Sequence, residues 1–558
     1  MSAGQDPPFL VFFESIVLML RRFLHAVNAI FCGHIVVRLG SVVLVPLFLK
    51  YWSASLYGEY LALFATVSYL TSLDIGMQQA VVNRLTQAYA RDDFEDYRAV
   101  QNTALAFYVS LSVSVTFAVA MFVWLLPVPQ WIGLKLTKPN IATLVIVLLT
   151  SYVMWSMPVR LISSIYQTMG DMARSQWLAN AQLLLAMLLS AVVLVAGGGM
   201  FAIAFVQLLT IVPLVAFVLL DVHRRLPEFF PSLANAKFSV FKDLGHPSLL
   251  FALLLLGNLI AYQGSVLVVS VAMGGLAVAV LSMSKAIIDV IRQALYSITL
   301  ALCPQFARME ALGDFEGLRV VHRVTVAATS VITLALVACA WYEGAQIITV
   351  WTRGRIEPDV MLLRLFLVLL AFQTPWAASS TVATAINRHQ VQAVGYFFSA
   401  VVGLGIVMAL VPFLGTWAVP LGLTLGEALG CYHFVIKATC QIIGEPYGAF
   451  AFRFWLGFAT VATATLGAAF AIHSMLPRLM LLRWIVMASF TLVVATAAGL
   501  MALLTRDDRE LLFSRLRPFV DSLRPAAWPR RYPKQCPVLA HEEIPMNAEV
   551  TFPRQMGN

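Results

Sequence analysis

Charge is what this sequence has least of. Only 12% of its 558 residues are Asp, Glu, Lys or Arg, about half the share of a soluble globular domain. A soluble chain of this length needs far more polar surface to cover its core. A cytosolic enzyme and a disordered or fibrous protein are therefore both excluded. Acids are the scarcer kind, 28 against 37 bases, for a net charge of +9. In a membrane protein that excess points to cytoplasmic loops, not to nucleic acid. Zinc spacings, Walker loops and dinucleotide fingerprints are missing, so no metal or cofactor is expected. The six cysteines form no CxxC pair and read as small buried hydrophobes. No cleavable signal peptide is expected either. Residues 9–20 are apolar but short, carry Glu14 and run into Arg21 and Arg22. They read as an interfacial helix leading into the first span.

What is present is hydrophobic surface, at 60% of residues. A membrane span needs about 20 mostly apolar residues. Fourteen segments qualify: 24–49, 56–73, 100–127, 140–168, 176–197, 200–220, 246–272, 276–302, 324–342, 360–384, 391–413, 416–436, 454–475 and 482–503. The fold class expected is an all-α polytopic membrane protein of about 14 transmembrane helices. With both termini in the cytoplasm, the inner loops and N-terminus hold 16 Lys and Arg, the tail nine, and the outer loops seven. The opposite orientation inverts that excess, so the positive-inside rule favours both termini cytoplasmic.

The pattern D-F-E-x-x-R-x-V occurs twice, from Asp93 to Val100 and from Asp314 to Val321, 221 residues apart. Both copies fall between an even-numbered span and the next odd one, so the spans repeat in blocks of six. Two lobes of equal topology follow, an arrangement typical of transporters. The expected organisation is an N-terminal lobe over 1–222, a basic, proline-punctuated cytoplasmic linker over 223–245, and a second lobe over 246–440. Two added helices span 441–503, and a tail over 504–558 is amphipathic, then disordered.

Five bases lie within spans: Arg38, Arg160, Lys285, Arg292 and Arg364. A base at mid-membrane costs about 2.5–3.5 kcal/mol, so it faces a cavity, has a partner or snorkels. Span 8 carries Lys285, Asp289 and Arg292 at i, i+4, i+7, on one helix face. One acid cannot neutralise two bases, and the charge left over favours an anion. Arg38 in span 1 offers a guanidinium fork suited to phosphate. Arg160 follows the kink at Pro158, nearer the cytoplasmic end, where snorkelling competes. Arg364 reads as snorkelling. Glu427 sits in mid-span between glycines (LGLTLGEALG) and is a candidate for carrying a coupling proton or pairing with a base, as is Asp289. Glu59 and Asp74 lie near the ends of span 2, where solvation is easy. Asn258, Tyr262, Gln263 and Gln373 are candidates for binding sugar hydroxyls or for interhelical hydrogen bonds. The cationic cavity so defined favours an anionic substrate, whereas an exporter of cations exposes acids.

The stretches Arg38-Leu39-Gly40, Pro46 to Trp52, Leu56-Tyr57-Gly58-Glu59-Tyr60 and Ser72 to Ala80 resemble the N-terminal lobe of Wzx-type polysaccharide flippases. These belong to the multidrug/oligosaccharidyl-lipid/polysaccharide exporter superfamily. The motif likeness covers residues 35–105, and the likeness in architecture extends to about residue 440. It implies a two-lobe transporter of the bacterial inner membrane. Its substrate would be an oligosaccharide carried on undecaprenyl pyrophosphate, moved by alternating access and an ion gradient. Membrane lipids and the polymerase and export machinery of cell-surface polysaccharide are the partners implied. The cavity bases would be Arg38, Lys285 and Arg292, with Arg160, Asn258 and Gln263 around them and Asp289 or Glu427 in ion coupling. Many polysaccharide flippases have twelve spans; the lipid II flippase branch has fourteen. The competing readings are a lipid II flippase, a multidrug or toxin antiporter, a membrane enzyme of polysaccharide assembly, and a scaffold.

Overall fold

Asp93 and Asp314, the leading residues of the two D-F-E copies, each start a long helix. Each carboxylate accepts the backbone N–H three residues on, at 3.0 Å from Asp96 and 2.8 Å from Gly317. A residue in the left-handed region immediately precedes each cap, Asp92 (φ 56°) and Gly313 (φ 69°). Both first turns carry an acid, which suits the helix dipole. The sequence repeat is thus a repeated helix start.

The computed structural model describes residues 42–74, 77–169, 171–233, 249–311, 313–386, 388–476 and 480–510, with a few positions between 28 and 40. In order they form α1 (Val42–Tyr51), α2 (Ala54–Ser68) with a 3-10 turn (Tyr69–Asp74), α3 (Met77–Ala90), α4 (Phe94–Leu125), the single turn α5 (Val128–Trp131), α6 (Pro139–Thr168) and α7 (Met172–Val195). Next come α8 (Met200–Leu209), α9 (Ile211–Arg225), α10 (Leu249–Leu259), a π-helical turn (Ile260–Gly264), α11 (Ser265–Met273), α12 (Gly275–Ala311) and α13 (Phe315–Trp351). The chain continues through α14 (Val360–Ala385), α15 (Gln390–Leu414), α16 (Ala418–Glu427), a second π-helical turn (Ala428–Tyr432), α17 (Phe434–Ile443), α18 (Tyr447–Met475) and α19 (Met480–Ala502).

By length and composition, ten helical stretches among the described residues can cross a membrane. The sequence reading expects about fourteen. The stretch Gln390–Ile443 is folded back at Gly415 (φ 57°), with α15 packed along α16. α12 is not among the ten. The first sequence span lies partly outside the described residues, and α2 has only 15 residues.

α6 gathers α2, α3, α4, α7, α8 and α9 around it. α12, α13 and α14 pack on one another, and α15 bridges α10 and α16. The two groups meet where α2 lies against α12. The pair α18 and α19 packs on α13. Side chains that point away from these contacts are apolar and exposed, among them Phe117, Trp124, Leu188 and Phe452, as a lipid-facing surface requires.

Glu59 shows how the crossing of α2 is fixed. Only 1% of it is exposed, although its place near a helix end suggests easy solvation. Its carboxylate accepts the backbone N–H groups of Lys135, Leu136 and Thr137 at 2.7, 2.7 and 2.9 Å, and the Thr137 hydroxyl at 2.6 Å. The acid is therefore the hydrogen-bond acceptor for the loop before α6. Glu59→Ala leaves three N–H groups without an acceptor, at about 1–3 kcal/mol for each that stays buried. Thermal unfolding in detergent is expected to show a midpoint lowered by several degrees; an unchanged midpoint contradicts this role.

Candidate functional site

Glycine spacing sets the position of Glu427. Gly422, Gly426 and Gly430 recur every four residues on one face of α16 and its π-helical turn. A Cβ on Gly426 would meet Ser399 O at 2.3 Å and Gly403 Cα at 2.7 Å. The backbones of α15 and α16 therefore touch through small residues, the usual way for helices to approach closely in a membrane. With that face taken, Glu427 turns toward α14. One carboxylate oxygen accepts Gln373 Nε2 at 2.6 Å and the other accepts Trp376 Nε1 at 2.9 Å. Glu427 is 5% exposed.

Gln373 Nε2 also reaches the Tyr262 hydroxyl at 3.3 Å. Tyr262 lies in the π-helical turn between α10 and α11. Such a turn interrupts the regular ladder of backbone bonds and is frequent at functional sites. Here the Tyr262 carbonyl accepts Lys285 Nζ at 3.0 Å. The Tyr262 ring carries both bases of α12, with Arg292 Cζ 4.2 Å and Lys285 Nζ 5.1 Å from its centroid. Both lie within the ~6 Å reach of a cation–π contact. Arg292 also bonds to Asp289 at 2.6 Å, and about a third of each side chain remains accessible.

Six of the residues singled out from sequence thus converge: Lys285, Asp289, Arg292, Glu427, Tyr262 and Gln373. Two bases and two acids share the site, and Tyr262 and Gln373 connect them. Glu427 was left open as a partner for a base. In the structure its direct partners are two neutral donors, and Arg292 acts on it through space. The other residues are placed apart. Asn258 is exposed on α10, one turn before Tyr262, and Gln263 is half-buried beside Tyr262. Arg160 is exposed on α6. Arg38 lies outside the described residues. Arg364, expected to snorkel, lies over the Trp341 ring at 5.2 Å.

Trp376 and Tyr396 were not anticipated. Tyr396 packs on Trp376 with ring centroids 5.6 Å apart. The available signal was the spacing Gln373-x-x-Trp376 across Pro375, which places both donors on one face of α14. A serine, a histidine and a glutamate also meet: Ser379 Oγ lies 2.9 Å from His322 Nε2, and His322 Nδ1 lies 3.6 Å from Glu445 Oε2. His322 and Ser379 are fully buried, so no substrate reaches them. Burial pushes the Glu445 carboxyl up, but His322 and Arg323 outweigh it and hold it below its usual value. This group joins α13 and α14 to the loop before α18. An open pocket of about 320 Å³ lies at Arg84, Gln87, Arg91, Asp93 and Asp96; acids balance bases there, and Asp96 holds Arg84 at 3.0 Å.

No family profile matches the sequence, and no curated protein matches it. Solved structures do. The lipid II flippase MurJ in an inward closed conformation aligns over 88% of this chain and 99% of its own, with a TM-score of 0.67 and 11% identity. The fold is that of the MATE and MurJ transporters. A multidrug-resistance MATE transporter of the MOP superfamily in an inward-facing conformation covers 73% of this chain and 94% of its own, at a TM-score of 0.61 and 17% identity. A MOP-superfamily transporter from Pyrococcus furiosus, described as having a binding pocket of reversed polarity that suggests a different function, covers 76% of this chain and 95% of its own. Its TM-score is 0.55 and its identity 16%.

Proposed function

We propose that this chain is a flippase. It carries an oligosaccharide linked to a polyprenyl pyrophosphate across the bacterial inner membrane, for cell-surface polysaccharide, by alternating access. The observation that carries the reading is the pair of bases on the Tyr262 ring, Lys285 and Arg292, inside a MATE- and MurJ-like fold. Bases held this way are desolvated but partly accessible. They suit the diphosphate of a headgroup that must cross a low-dielectric region. The polyprenyl chain stays in lipid. Arg38 and Arg160 are further candidate contacts for the headgroup, and Asn258 and Gln263 for its sugars. Glu427 or Asp289 exchanges the coupling ion. The two six-helix lobes proposed for 1–222 and 246–440 rock about the site, with both termini in the cytoplasm.

In proteoliposomes given a fluorescent polyprenyl-pyrophosphate oligosaccharide, Lys285→Ala and Arg292→Ala are each expected to slow transport about tenfold to a hundredfold. That range corresponds to the loss of one charge-assisted hydrogen bond. Wild-type rates in both variants overturn the reading. The second reading, a multidrug antiporter, draws on Asp289 and Glu427, which offer acids to an organic cation. It predicts saturable uptake of such a cation that the two alanine variants leave intact. A lipid II flippase is the nearer alternative, because the MurJ likeness runs over more of the chain than the MATE likeness does.

A further inference from the structure

An amide and a phenol connect Glu427 to the two bases. Gln373 Nε2 donates one hydrogen to Glu427 Oε1 (2.6 Å) and directs its other toward the Tyr262 hydroxyl (3.3 Å). The Tyr262 ring then carries Arg292 and Lys285. Gln373 and Tyr262 are 6% and 8% exposed, so water does not readily stand in for either. Among the described residues, the charged and titratable groups that face Glu427 are Arg292 of α12, Tyr262 of the first π-helical turn, Tyr396 of α15, and Cys431 and Tyr432 of the second. The facing side chains of α14 are the neutral Gln373 and Trp376.

We infer that Gln373 and Tyr262 are positioning residues that make the anion affinity of Lys285 and Arg292 depend on the proton carried by Glu427. The inference rests on the anion-transport reading of the same site. Its logic lies in the donors. An indole N–H can only donate, so the oxygen of Glu427 that faces Trp376 remains an acceptor whatever the state of the acid. A proton therefore settles on the oxygen that faces Gln373. There it meets an N–H, and two donors cannot share a hydrogen bond. The amide answers by turning over, because its two ends are alike in size and opposite in role. Its oxygen then accepts from Glu427 and from the Tyr262 hydroxyl, which changes from acceptor to donor. Both hydrogen bonds of Gln373 survive and each reverses, while the Trp376 bond keeps its direction. Meanwhile the two bases face one negative charge in place of two. An anion binds this state more tightly, and the phenol whose ring holds both bases reports the change to them.

The test uses the full chain in lipid nanodiscs and methanedisulfonate, a dianion whose own charge does not change with pH in the range used. Its affinity is measured by calorimetry at about pH 5.5 and about pH 8.5, in a Lys285→Arg background whose two guanidinium groups keep their charge over that range. This parent is expected to bind about tenfold more tightly at the acid end, a usual size for coupled sites. In Glu427→Gln the ratio of the two affinities falls to about one. In Tyr262→Phe and, separately, in Gln373→Met it falls to about three or less. The ratio is the readout because a general loss of packing lowers both affinities and leaves it unchanged. A full tenfold ratio in both Tyr262→Phe and Gln373→Met overturns the relay while leaving the anion site standing. A full ratio in Glu427→Gln removes Glu427 as the sensor. Wild-type protein that binds no disulfonate at either pH overturns the anion reading itself, and this inference with it.

Discussion

Replacing Gly58 by valine is expected to abolish transport while the protein still inserts and folds. A Cβ at position 58 would lie 1.7 Å from the carbonyl oxygen of Gly275, and one at 275 would lie 2.2 Å from the carbonyl oxygen of Ser55. The obstacle in each case is backbone, so no side chain can rotate out of the way. α2 and the start of α12 must separate. They are the contact between the two groups of helices, and the same end of the molecule holds a second backbone approach, where a Cβ on Gly133 would meet Ser270 O at 2.5 Å. The Ser270 hydroxyl binds Ile132 O at 2.7 Å beside it. In the orientation proposed above, this end faces outside. Alternating access requires the outer end to close in every cycle, and a valine at position 58 prevents the closure. Transport in proteoliposomes is expected to fall by more than tenfold, with near-normal yield of folded protein. A cysteine placed nearby should label faster with a membrane-impermeant maleimide. Gly405→Ala and Gly467→Ala are the controls, because nothing lies within 4 Å of a Cβ at either position. Wild-type transport by Gly58→Val removes the glycine contact from the cycle.

What could be read in advance, and what could not, divides along the range of the interactions involved. Hydrophobic runs and the D-F-E repeat are local. They announce a polytopic helical protein, and the two copies of the repeat prove in the structure to be helix starts, at Asp93 and Asp314. The i, i+4, i+7 charges of α12 are local too, so Lys285, Asp289 and Arg292 stood out as a group. What joins them to Glu427 is not local. Tyr262, Gln373 and Glu427 are separated by 111 and 54 residues, and single amides and phenols in apolar helices carry no pattern of their own. Glu59 misled for a related reason. Position along a span suggests depth in the membrane, but it says nothing about which loop folds over the end of the helix. The glycines around Glu427 were visible, but their purpose was not. They let α16 press against α15, and so decide which way the acid points.

Arg483→Leu should be the most destabilising single change outside the site. The sequence places Arg483 among the outer-loop bases, and Glu343 in α13 drew no notice. In the structure the two form a buried pair at 2.7 Å, 5% and 2% exposed. Glu343 also receives His473 Nδ1 at 2.7 Å and Trp484 Nε1 at 2.8 Å, and Arg483 donates to Gln346 at 2.6 Å. His473 belongs to α18, and Arg483 and Trp484 to α19, so a single carboxylate of α13 holds both added helices. The packing below it is equally close: a Cβ on Gly499 would meet Val331 Cγ2 at 2.3 Å. Removing one member of a buried ion pair costs about 3–5 kcal/mol, because the other charge is left in a low-dielectric setting, whereas removing both is often nearly neutral. Arg483→Leu is therefore expected to lower the thermal midpoint sharply. The double variant Glu343→Leu/Arg483→Leu should recover most of the loss, and the non-additivity measures the coupling. If the single and double variants are equally stable as wild type, the two helices are held by apolar packing alone. If the double variant recovers stability but not transport, the charged network serves the transport cycle as well as the fold.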